Sequence, residues 1–131
     1  MEENISRRGF DPLRYKFEDQ VPTPGGVTEV ADGVFWIQLP MWGRLNSINV
    51  WLLRDYDGWT IVDTGLNNTD VQKLWQSIFD NHLDGKPINR VIATHLHSDH
   101  TGNAGWITQK WDCELWMSRA DFYMCKVMAA D

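Results

Sequence analysis

The sequence predicts a mixed α/β (α+β) domain: a β-meander followed by alternating α and β segments. Three observations carry this. Short β-branched and aromatic runs crowd the stretch from Val27 to Asp63. Helix-periodic and strand-like segments alternate after it. The strand–helix–strand order across 59–94 implies a crossover and local parallel pairing. At 131 residues the chain matches about one domain, and 43% hydrophobic with 23% charged is the composition of a folded one.

Residues 1–25 read as an arm or linker, closed by Pro22, Pro24, Gly25 and Gly26, and the domain occupies 26–131. Val34 to Leu39 is a strand stopped by Pro40. Asn46 to Arg54 is a second strand with apolar residues on both parities, which predicts two covered faces. Asp57-Gly58 is a hairpin turn signal leading into a strand from Trp59 to Asp63. Thr69-Asp70-Val71-Gln72 fits a helix capping box. Val71, Leu74, Trp75, Ile78 and Phe79 then recur at helical spacing until Gly85 and Pro87. Ile88 to Thr94 reads as a short buried strand, Asn103 to Lys110 as a helix and Glu114 to Met117 as a strand. Ser118 to Asp121 caps a last helix.

Charge and composition exclude several classes. Twelve Lys and Arg against eighteen Asp and Glu give a net charge of -6, which argues against a nucleic-acid partner. No apolar run approaches the roughly 20 residues of a spanning helix, so no membrane partner is expected. Met1 to Gln20 is polar, without the apolar segment of a secretory signal, and the default location is cytoplasmic. Cys113 and Cys125 are too few for a disulfide framework and read as free thiols. His82, on the apolar side of its helix, reads as an ordinary structural histidine.

Chemistry concentrates in residues 94–103, Thr-His-Leu-His-Ser-Asp-His-Thr-Gly-Asn. Three of the four histidines lie within six residues, directly after a predicted strand. Loop residues in that position converge at the carboxyl edge of a sheet. In extended chain His95 and His97 point to the same side and can chelate one ion. Asp99 and His100 follow at the turn and can face a neighbouring ion. Imidazole plus carboxylate suits zinc, and also iron or manganese.

The His95-x-His97-x-Asp99-His100 pattern resembles the signature of the metallo-β-lactamase fold superfamily. Ile61-Val62-Asp63-Thr64-Gly65 resembles that family's earlier motif, and Gly102-Asn103-Ala104-Gly105 continues the pattern after the ligands. The resemblance covers roughly Val27 to Asp131. It implies the N-terminal half of an αββα sandwich. It also implies that His95 and His97 bind a first zinc and that Asp99 and His100 bind a second. Asp63 would lie under the site and orient the ligand loop, with Thr94 and Ser98 as supporting hydroxyls. A bound divalent ion lowers the pKa of its water to about 7, which supplies hydroxide for hydrolysis. Asp99 would also accept or return a proton as the catalytic carboxylate.

The resemblance has a gap. The family's site needs three later ligands, a histidine, a bridging aspartate and a last histidine, and no histidine follows His100. Asp112, Asp121 and Asp131 lack a matching context, and Asp121 reads as a helix-capping residue. The expectation is therefore the first part of a longer hydrolase acting on a small-molecule ester, thioester, lactone or amide. An uncovered sheet face would drive formation of a homo-oligomer. The competing readings are an inert half-domain, a mononuclear iron sulfur-dioxygenase type and a nucleic-acid-processing member of the same fold. Trp42 and Arg44, in the loop between the first two strands, are the candidates for substrate contact.

Overall fold

Alternation of apolar residues organises the sheet, and the helices cover the face that alternation makes apolar. In a computed structural model the described residues are 16–130. Most of the arm expected over 1–25, and Asp131, therefore lie outside them. A short 3-10 turn, Glu18–Gln20, precedes six strands and four helices. These are β1 (Thr28–Ala31), β2 (Val34–Pro40), β3 (Ser47–Arg54), β4 (Trp59–Val62), α1 (Thr69–His82) and β5 (Ile88–Ile92). Then follow α2 (Ser98–Thr101), α3 (Ala104–Trp111), β6 (Glu114–Trp116) and α4 (Arg119–Met128).

The strands form one sheet in the order β1-β2-β3-β4-β5-β6. The first four are antiparallel; β4–β5 and β5–β6 are parallel. The meander and the crossover thus occur as the sequence reads. α1 makes the crossover. Its N-cap is Asn68, one residue before the expected Thr69, and the Asn68 side chain accepts from the Val71 backbone N–H at 2.9 Å. Asn68 and Thr69 are both good N-caps, so composition alone does not choose between them. At the other helix Ser118 caps α4 as read, accepting from the Asp121 N–H.

One sheet face is closed. Ile37, Leu39, Val50, Leu52, Ile61 and Val91 pack there with Val71, Trp75 and Ile78 of α1 and Ile107 of α3. The Trp75 indole N–H also reaches the Thr64 carbonyl at 2.8 Å, locking α1 to the end of β4. The other face stays open. Register places Trp36, Trp51, Val62, Ile92 and Trp116 in one row across five strands. Trp51 and Leu53 of β3 are half-buried, so the second face of that strand is less covered than its pattern suggested. Lys16, Phe17, Glu18 and Val21 border a hollow of about 450 Å³ on this face, together with Trp36 and Trp51.

Both cysteines are free and half-buried. Burial, with Asp112 beside it, pushes the Cys113 thiol above its ordinary range. Among the described residues no helix is long and apolar enough to cross a membrane.

Candidate metal centre

The site sits where β4 and β5, neighbouring parallel strands, both end. β4 delivers Asp63 and Thr64; β5 delivers the loop from Thr94 to His97, which enters α2. Asp63 takes a left-handed conformation, φ 62°, which Asp adopts more readily than most residues. That turns its side chain under the loop, where it is 4% exposed.

Asp63 is the hub. One carboxylate oxygen accepts the Thr94 backbone N–H at 2.8 Å. The other accepts the Thr94 hydroxyl at 2.8 Å and lies 2.8 Å from His100 Nδ1. A carboxylate only accepts, so His100 donates through Nδ1, and in the neutral ring the lone pair is then on Nε2. The Thr94 hydroxyl has spent its single proton on Asp63. Its 3.0 Å contact with His95 Nδ1 is therefore made by the imidazole N–H, which leaves the lone pair of His95 on Nε2. One buried carboxylate thus sets the tautomer of two histidines, one directly and one through Thr94.

The donor atoms gather in two pairs. His95 Nε2 and His97 Nδ1 face one another at 3.0 Å. His100 Nε2 lies 3.4 Å from an Asp99 carboxylate oxygen. The rings of His95 and His100 are 4.0 Å apart, so the two pairs adjoin. Among the described residues no three His, Cys, Asp or Glu side chains converge on one point. Each pair offers two donors, where tetrahedral zinc takes four ligands. Donor chemistry and tautomers fit a divalent cation, and a four-coordinate ion at either pair would need further ligands from outside these side chains.

A second layer fixes the loop's backbone. The His100 carbonyl accepts from both the backbone N–H and the hydroxyl of Thr64, at 2.8 and 2.9 Å. Asn103 is fully buried, and its amide N–H groups reach the carbonyls of Thr64, Gly65 and Leu66. Gly102 passes so close to Asn67, Gly65 and Ser98 that a Cβ would meet their backbone atoms at 2.5–2.6 Å. Asn103 and Gly102 fall in the Gly-Asn-Ala-Gly continuation of the motif, but nothing in composition marks the Asn as a buried clamp.

Other expected residues are placed differently. Ser98 opens α2 with an exposed side chain that makes no hydrogen bond among the described residues. Trp42 is 73% exposed and borders a shallow hollow with Met41, Leu66 and Asn68, beside the start of α1. Arg44 is exposed in the same loop. His82 ends α1, away from the cluster, as read.

A carboxylate and histidine cluster at the carboxyl ends of β4 and β5, beneath an α-covered sheet, defines a class. Residues 43–126 match the family described as the metallo-beta-lactamase superfamily, and the chain belongs to that superfamily. In structure it is similar to a beta-lactamase domain protein from Burkholderia ambifaria, with 42% identity and a TM-score of 0.84. That likeness covers 88% of this chain and 36% of the other. The metallo-beta-lactamase FIM-1 from Pseudomonas aeruginosa, in its mono-zinc form, shares the fold with 17% identity and a TM-score of 0.65, over 81% of this chain and 47% of that one. In sequence the chain is similar to human acyl-coenzyme A thioesterase MBLAC2, 32% identical over 79 residues. That match covers 56% of this chain and 28% of the relative's length. A linear primary-alkylsulfatase from a Pseudomonas species is 27% identical over 95 residues, which are 72% of this chain and 13% of that protein. The chain therefore spans a minor part of the curated relatives it matches.

Proposed function

We propose that this chain forms the first metal-binding part of a zinc-dependent hydrolase acting on a small-molecule thioester. The observation that carries the reading is the pair of lone pairs fixed by Asp63, on His95 Nε2 and His100 Nε2, each beside a second donor. Ligands held in one tautomer by a carboxylate are a recurring feature of metal sites. His95 and His97 would hold one ion, Asp99 and His100 the other. Iron or manganese would suit the same donors. Zinc bound there supplies Lewis acidity and lowers the pKa of water to about 7. The protein's own part is to hold the four donors, to keep the loop rigid and to offer the Asp99 carboxylate for proton transfer. Trp42 and Arg44 would meet the substrate from the β2–β3 loop.

Similarity to an acyl-coenzyme A thioesterase supports a thioester over an ester, lactone or amide. The net charge of -6 supports a small-molecule substrate over nucleic acid. Free, half-buried thiols suit a reducing compartment, and we place the protein in the cytoplasm.

The test uses the full-length gene product. Zinc-loaded protein should release free thiol from an acyl-coenzyme A, and His97→Ala should abolish the release. Unchanged turnover in His97→Ala, or none by the zinc-loaded parent, would contradict the assignment.

A further inference from the structure

Asp121 carries more than the cap of α4. It is the third residue of that helix, after the N-cap Ser118. In a capping box a carboxylate at this position turns back to the N-cap backbone N–H. Here one oxygen instead accepts the backbone N–H of Leu96 at 3.1 Å, across 25 residues of sequence. The other oxygen is hydrogen-bonded by the Ser118 hydroxyl. Leu96 is the residue between His95 and His97. Its carbonyl is held too, by the Thr101 hydroxyl at 3.2 Å. The peptide groups joining the two histidines are thus gripped from opposite sides, by α4 and by α2.

The consequence is geometric. His95 Nε2 and His97 Nδ1 stand 3.0 Å apart on either side of the residue that these bonds hold. α4 itself has no fully buried residue; the Asp121 bond and a 3.9 Å contact of the Cys125 thiol with the Leu96 carbonyl tie it to the loop. We infer that Asp121 is a positioning residue for the first metal pair, setting the spacing of His95 and His97 through Leu96. It touches neither ion nor substrate. The inference rests on the proposed zinc site for its functional meaning.

Zinc affinity, measured by competition with a chromophoric chelator, is the test, alongside thermal unfolding of the zinc-free protein. Asp121→Ala should weaken the affinity by about 10–100-fold, the usual effect of losing a partner behind the ligands. Asp121→Asn keeps an acceptor oxygen for Leu96 and should stay within about threefold of the parent. Ser118→Ala removes the cap together with the hydroxyl that holds the other Asp121 oxygen; it should lower the melting temperature and weaken zinc affinity clearly less than Asp121→Ala does. An Asp121→Ala affinity equal to the parent's, or a loss matched by Ser118→Ala, overturns the inference. If Asp121→Ala does not fold, hydrogen exchange of the Leu96 amide in the parent decides. A protected amide upholds the clamp and a freely exchanging one overturns it. A parent that binds no zinc would sink the proposed function instead, and the same amide measurement would still judge the clamp.

Discussion

At the scale of single residues, Asp63 holds the most consequences. It has three hydrogen-bonding partners and is almost wholly buried. Asp63→Ala should leave the Thr94 N–H and hydroxyl without acceptors, at about 1–3 kcal/mol for each group that stays buried. Alanine also tolerates φ 62° poorly. Asp63→Asn should lose less, because Asn accepts the left-handed conformation and retains one acceptor oxygen. Denaturant unfolding of the two variants checks this ranking; equal stability would contradict it. Asn103→Ala should also destabilise, since three carbonyls lose an amide N–H, although the Thr64 carbonyl keeps the Trp75 indole and the Leu66 carbonyl the Asn68 N–H. The candidate ligands stand out in the sequence because imidazoles at such spacing have few other uses. Asn103 and Asp121 do not. An amide or carboxylate beside a helix start reads as a cap, and only folding shows that its partners lie 25 to 39 residues away.

Elements were legible to the extent that their signals were local. β2, β3 and β4 follow β-branched and aromatic runs, and α1 follows a five-residue apolar face. Their ends were less so: around Asn68 several residues in a row can cap, and the chain uses the one that fits the exit from Gly65. Contacts between elements were legible only as the parallel pairing that the crossover implies and as Asp63 under the ligand loop, which the motif resemblance implied. Gly102, at the end of α2, abuts backbone atoms of Gly65 and Asn67 in the β4–α1 loop as well as of Ser98 in its own helix. Gly102→Ala must push α2 off the β4 edge, so His100 should lose its bond to Asp63. We expect destabilisation of about 1–3 kcal/mol and weaker zinc binding together. A variant that unfolds like the parent would contradict that packing.

The β3–β4 hairpin makes a separate prediction about pH. Asp55 accepts from the Tyr56 N–H and the Thr60 hydroxyl, and these bonds, with a smaller contribution from the Arg90 charge, hold its carboxyl below the ordinary aspartate range. A depressed value means a contribution present above the unfolded value, about 3.9, and lost as pH falls through the folded one. Asp55→Asn should flatten the acid limb of the stability curve there. An unchanged limb, followed by circular dichroism, would show that the hairpin does not contribute.

For the whole molecule, the open sheet face matters most. The row from Trp36 to Trp116 leaves tryptophans half-buried or exposed on a face that the helices do not reach. Large exposed apolar surface drives association. The 131-residue chain in isolation should therefore self-associate, and Trp116→Lys should reduce it. A monomer by light scattering at high concentration would contradict this. The arithmetic of ligands and the open face point the same way. Further donors for each pair and a cover for the open sheet face would both be met by more protein, whether a second copy or a further stretch of chain such as the relatives possess.

The central claim is that the loop after β5 binds a divalent ion through histidines whose tautomers Asp63 sets. Histidine-ring nitrogen NMR during a zinc titration tests it most directly. The account predicts that His95 Nε2, His97 Nδ1 and His100 Nε2 move to metal-bound shifts while His82 stays unchanged. Zinc that leaves all three unmoved, or that binds through the Nδ1 atoms of His95 and His100, would contradict it.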